Sequence, residues 1–214
     1  AFSKKSLDVQ RKVVCEEFKE HYINKPYGDV WHIMRELAFK EHAYRWMTIG
    51  KELSHVENAQ LEDVKRFFFK HYTPSNAILV VAGNVSVEQV RELAEKWFGD
   101  IPSGEKYKRD LPVEPEQKEE RRMTVHRKVP ADAIYKTWHM CSRLDDDYYT
   151  TDLLTDILGG GASSRLYQAL VKEQQLFTGI NCYHFGSLDA GLLAIDGQLV
   201  KGVDIKKAED AIEA

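Results

Sequence analysis

Apolar residues recur at helical spacing over residues 5–24, where Leu7, Val14, Phe18 and Tyr22 form one stripe, Ser6 offers an N-cap and Asn24-Lys25-Pro26 ends the run. The same spacing predicts a helix over 29–39 and another over 61–71, the latter closed before Pro74. AILVVAG, residues 77–83, is a continuous apolar run and predicts a buried strand. Residues 86–98 return to helical spacing, with Ser86 as N-cap and Val87, Val90, Leu93, Ala94 and Trp97 on one face. Ile78, Val80, Trp97 and Phe98 are the expected core of this first part.

The pattern lapses from 102 to 122, where prolines 102, 112 and 115 stand among dense mixed charge and few apolar residues, the composition of a linker. Beyond it, MTVHRKV (123–129) and AIYKTWHMC (133–141) predict two strands. A helix over 148–158, glycines 159–161, a helix over 164–173 and strands over 180–185 and 192–199 follow. The order β, β, α, α, β, β predicts an antiparallel-rich α+β unit rather than a doubly wound sheet.

A chain of 214 residues that is 43% apolar can bury one large core or two smaller ones. Its 30 basic and 34 acidic residues are interspersed, so no single-sign field favours nucleic acid or an anionic membrane. No apolar run approaches the ~20 residues of a membrane span. Cys15, Cys141 and Cys182 are too far apart for a zinc ribbon or a C-x-x-C site and read as small buried hydrophobes.

The chemical candidates are sparse. An inverted zinc helix needs H-x-x-E-H, but Glu17 stands where Glu20-His21 would need its first His, and Ala38 where Glu41-His42 would. Glu17 and His21, at i and i+4, supply two donors at most, and a helix-surface contact is the simpler outcome. The run LGGGASSRLYQAL lacks a phosphate-loop lysine and follows a helix, so it reads as a loop with Ser163 or Ser164 as N-cap. Asp145, Asp146 and Asp147 read as a solvated loop before a helix, and His126, His139 and His184 have no ligand spacing to one another. On a helical wheel Gln10, Glu17 and His21 flank the apolar stripe, whereas Glu16 turns away.

Taken together, RKVVCEEF (11–18), the stretch from RFFFKHYTPSNAILVVAGNV to WFGDIPSG, and ILGGGASSRLYQAL resemble the pitrilysin/insulinase-like metallopeptidases, the inverted zincins that include the mitochondrial processing peptidase. The resemblance implies tandem α+β domains with antiparallel-rich sheets packed by helices, both truncated: 1–103 as the latter part of a zinc-bearing domain, 104–122 as a charged linker, and 123–214 as the earlier part of a second, non-zinc domain. It implies proteolysis, a zinc-dependent hydrolysis of peptides or small proteins, with Glu17 as the distal zinc ligand and the H-x-x-E-H supplied from before Ala1. Gln10, two turns earlier, falls where many members carry an acidic residue that supports the ligand. Val171 and Thr178 fall where an Arg and a Tyr polarise substrate in members that supply them. A peptide or protein substrate, Zn²⁺ in the intact protein but none held by this chain alone, and a second peptidase-like half or subunit are therefore implied. The non-catalytic scaffold subunits of the same family are the alternative. Self-association through an uncovered AILVVAG strand is also expected.

Overall fold

The computed structural model describes residues 2–214. The chain divides into two compact units, Ala1–Glu20 with Thr48–Val113, and His21–Met47 with Glu114–Ala214.

The first unit is helical. α1 (Lys4–Phe18) is capped by Ser3, whose hydroxyl accepts from the Ser6 N–H, so Ser6 is a first-turn donor rather than the cap expected for it. Cys15 and Phe18 are the buried residues of α1, and Arg11 fastens it to the end of α3 (Leu53–Glu57) by donating to the carbonyls of Glu57 (3.0 Å) and Ala59 (3.2 Å). The helix then loosens into a π-helical turn, Lys19–Ile23. α4 (Leu61–His71) opens with a reciprocal cap between Gln60 and Asp63, and its Phe68 ring meets Phe2 at 5.0 Å. α5 (Val87–Phe98) starts as expected at Ser86, whose hydroxyl accepts from Gln89 N–H while the Gln89 side chain reaches back.

Residues 77–83 are not a strand, and the core expected around them is absent. Ile78 is 92% exposed, Val80 80%, Trp97 68% and Phe98 52%. The apolar run has high strand propensity, but a strand exists only by pairing, and no ladder partner for it lies among the described residues.

The second unit is a three-layer sandwich around an antiparallel sheet of order β1-β3-β2, with β1 Ala133–Met140, β2 Phe177–Phe185 and β3 Gly191–Leu199. The register aligns Ile134 with Gly197 and Ile180, and Lys136 with Ile195 and Cys182, so these residues share one face. That face is covered by α6 (Tyr148–Gly159), a π-helix (Tyr167–Glu173) and α7 (Ile205–Glu213), which close a core of Leu170, Phe177, Ile180, Ile195, Leu199 and Ala208. Tyr135 with Asp196 and Asn181, and His139 with Leu192 and Phe185, define the opposite face. α2 (Val30–Ala38) lies on it, with the Trp31 ring 4.6 Å from Phe185 and 6.1 Å from Tyr183.

Of the two strands expected after the linker, only the second forms. Met123–Val129 joins no strand ladder among the described residues, because Arg121 donates to the Leu37 and Ala38 carbonyls and Arg127 pairs with Asp29, pinning this arm to α2 instead of to β1. α7, not anticipated from the pattern, is capped by Asp204, which accepts from Lys207 N–H.

Candidate functional site

Glu17 sits one residue before the buried Phe18, near the end of a regular helix and just ahead of the π-helical turn. π-turns of this kind occur often at functional positions because they re-aim side chains. Its carboxylate is exposed and makes no hydrogen bond or ion pair among the described residues. Glu16 is also exposed, but is engaged with Lys19 at 2.8 Å, and this contact raises the Lys19 ammonium pKa above its ordinary value. Gln10 lies two turns before Glu17 on the same helix face and is exposed. Among the described residues no group of three or more His, Cys, Asp or Glu side chains is arranged to hold a metal ion. A lone, unpaired carboxylate fits the part of one metal ligand and no more.

Val171 and Thr178 belong to the second unit. Val171, in the π-helix, packs against the core, where a charged side chain would be buried. Thr178 is exposed beside the irregularity in β2 and its hydroxyl donates to the Gln198 carbonyl at 3.1 Å. Neither can stabilise a developing negative charge as a guanidinium can.

The glycines 159–161 serve packing. A Cβ on Gly159 would lie 2.0 Å from the Cys182 backbone nitrogen, so only glycine lets the end of α6 close on β2, and Gly161 turns the chain at φ +105°. Ser164 is buried with its hydroxyl unpartnered, so it does not cap the following helix through its side chain. Asp145 accepts from the Ser142 N–H at 2.7 Å in the turn before α6, and His184 meets Asp152 at 2.9 Å.

Two polar ties, one of them buried, had no sequence signal. His42, 3% exposed, accepts from the Tyr44 N–H at Nδ1 and donates from Nε2 to Asp189 at 2.9 Å, across 147 residues of chain. Glu114 collects the backbone N–H groups of Lys40, Glu41 and His42 at 2.7–2.9 Å. Burial alone would raise its pKa, yet the three donors prevail and hold the carboxyl below its ordinary range. On the α2 face of the sheet, burial and Asp196 push the Tyr135 phenol up to about 12 and Tyr183 higher still, so both stay neutral.

The family described as the peptidase M16 inactive domain matches residues 58–214. The chain belongs to the peptidase M16 family. A zinc protease of Helicobacter pylori named PqqE is 30% identical over 174 residues, 78% of this M16 chain and 38% of that protein. An uncharacterised zinc protease of Bacillus subtilis, YmxG, is 26% identical over 202 residues, 92% of this chain and 46% of that protein. The crystal structure of a protease from Helicobacter pylori superposes with a TM-score of 0.85 at 25% identity, covering 99% of this chain and 52% of that one. A peptidase M16 inactive domain from Pseudomonas fluorescens shares the fold, with a TM-score of 0.76 at 18% identity over 99% of this chain and 51% of that one. The M16 chain thus spans about half or less of the length of these relatives. The mixture of helices with an antiparallel sheet is the fold class expected from the sequence. No helix among the described residues is long and apolar enough to cross a membrane.

Proposed function

We propose that this chain is part of a zinc-dependent metalloendopeptidase that hydrolyses peptides or small proteins, that Glu17 is one ligand of its metal, and that residues 1–214 alone are inactive. The observation that carries this reading is the match of 58–214 to an M16 domain described as inactive, alongside relatives named as zinc proteases. The free, exposed carboxylate of Glu17 supports its assignment, since a ligand must not be committed to a competing partner. A catalytic zinc takes three protein ligands and keeps one position open, so two more ligands and a general base come from an H-x-x-E-H elsewhere in the intact protein. When bound, the metal polarises the scissile carbonyl and acidifies water. Glu17 contributes one negative charge to the site, and Gln10 on the same helix face offers a hydrogen bond without a second charge. Because Val171 and Thr178 cannot supply Arg/Tyr chemistry, that pair belongs to a second peptidase-like half or subunit.

A non-catalytic assembly role is the alternative, favoured by the description of the matched domain as inactive. Zinc titration and a peptide-hydrolysis assay, run on residues 1–214 and on the intact protein, separate the readings. Metal-dependent hydrolysis by the intact protein and none by 1–214 is the expected result. Zinc-dependent hydrolysis by 1–214, or an intact protein that takes up no zinc, would overturn the proposal.

A further inference from the structure

β1 is an edge strand with its outer ladder unmet. The Leu199 N–H donates to the Asp132 carbonyl at 2.8 Å, which fixes the phase of the β1–β3 ladder. By the alternation of antiparallel pairing, Ile134, Lys136, Trp138 and Met140 turn their backbone N–H and C=O groups towards β3. Ala133, Tyr135, Thr137 and His139 therefore turn theirs outward, and none of these outward groups has a backbone partner among the described residues.

What faces them is a cavity of about 590 Å³, within the usual range for ligand sites. Its far wall is the arm Met123–Val129, held away by the Arg121 and Arg127 contacts to α2 and braced by Tyr27, whose hydroxyl donates to the Ala131 carbonyl at 2.7 Å. Ile33, Leu37, Val125, Ile134 and Ile205 give the cavity apolar walls. Three pairs of charges at its rim are matched, Arg122 with Glu209, Lys136 with Glu213 and Arg127 with Asp29, and no group of three or more His, Cys, Asp or Glu side chains among the described residues is arranged there to hold a metal ion. The unmet chemistry is a row of alternating donors and acceptors at strand spacing, which another extended backbone satisfies in register.

We propose that the free edge of β1 receives an extended peptide, added as a fourth strand between β1 and the Met123–Val129 arm. That the peptide comes from a polypeptide substrate rests on the peptidase reading above. The groove itself does not, since it uses neither zinc nor Glu17. Four outward residues over Ala133–His139 offer a ladder of about 20 Å, enough for a peptide of about six residues.

The probe is a capped heptapeptide, Lys-Val-Thr-Val-Thr-Val-Lys, and its counterpart N-methylated at all five central residues, which keeps the side chains but removes the central N–H donors from both edges of the strand. Both are titrated into residues 1–214 without metal, with amide hydrogen exchange read residue by residue. Binding of the parent peptide, with exchange at Tyr135, Thr137 and His139 slowed, and at least about tenfold weaker binding of the N-methylated form, is the expected result. Equal binding of the two peptides, or none of the parent, would overturn the proposal. Protection of Tyr135, Thr137 and His139 before any peptide is added would also overturn it. Concentration-independent protection would mean that Met123–Val129 itself closes the edge, and concentration-dependent protection that a second copy does. Because no metal is present, failure here is distinguishable from failure of the hydrolysis assay.

Discussion

Replacing Gly159 by alanine tests whether the glycine run is a packing device. The new Cβ would lie 2.0 Å from the Cys182 nitrogen, 2.5 Å from its Cβ and 2.6 Å from its Cα, whereas ordinary contact begins at 3.4 Å. Two of these three atoms are backbone, so no rotamer change relieves the clash, and the end of α6 must retreat from β2 by more than about 1 Å. Overpacking of this kind costs about 1–3 kcal/mol, and the helix-propensity gain of alanine over glycine, about 1 kcal/mol in a helix interior, is smaller at a terminal position. A net loss of about 1–2 kcal/mol follows. With a urea slope of about 2 kcal/mol per molar, the midpoint falls by about 0.5–1 M. Gly179→Ala is the control, because a Cβ there meets nothing within 4 Å, and its change stays within about 0.5 kcal/mol. Urea unfolding followed by circular dichroism reads both. A Gly159→Ala midpoint no lower than that of Gly179→Ala would refute the packing argument and return the glycines to consideration as a ligand loop.

Glu114→Ala strands the N–H of the buried His42, and a loss of about 2 kcal/mol is expected in the same urea assay. The Glu114 pKa is lowered on folding, so its contribution is full above the ordinary value of 4.5 and disappears as pH falls through the folded-state pKa; a gap between wild type and Glu114→Gln that widens on acidification contradicts this. Burial raises the Cys182 thiol from 9.0 to about 11, so the neutral thiol favours the folded state and that contribution is lost as pH climbs from 9 towards 11. Alkylation mapped by mass spectrometry at mildly alkaline pH should modify the partly exposed Cys141 well before Cys182, and equal rates would contradict the burial. Ile78, Val80, Trp97 and Phe98 form a large apolar exposure in the first unit, so light scattering of residues 1–214 should give masses above the 24.7 kDa monomer as concentration rises; a strict monomer at high concentration counts against it.

Where local pattern and local structure share a cause, the sequence was readable. α4 and α6 begin where the 3.6-residue spacing begins, α5 starts at its Ser86 cap, and β1, β2 and β3 follow the strand-like runs. The failures have one physical origin, which is that a strand is a relation between two segments. AILVVAG has the composition of a buried strand but no ladder partner among the described residues, and Met123–Val129 loses its partner to the arginine contacts on α2. α7 was detectable, since Asp204 precedes apolar residues at 205, 208, 211 and 212. The His42–Asp189 tie joins residues 147 apart and leaves no local trace. At the candidate site, residue spacing established only that Gln10 and Glu17 share a helix face, and the zinc role proposed for Glu17 rests on family resemblance. The close approach that explains Gly159 became visible only with β2 beside it.

Zinc retention by the intact protein carrying Glu17→Gln or Glu16→Gln tests the central claim most directly. Glu16→Gln removes an exposed ion pair with Lys19, worth about 0.5 kcal/mol at most, and should leave the metal in place. Glu17→Gln should keep the helix, because its carboxylate makes no hydrogen bond or ion pair among the described residues, yet weaken zinc binding beyond the about 10–100-fold loss typical of an outer-shell partner. Selective loss of zinc from Glu17→Gln, with unchanged circular dichroism, is the result the account predicts. Equal zinc content in the two variants would contradict it.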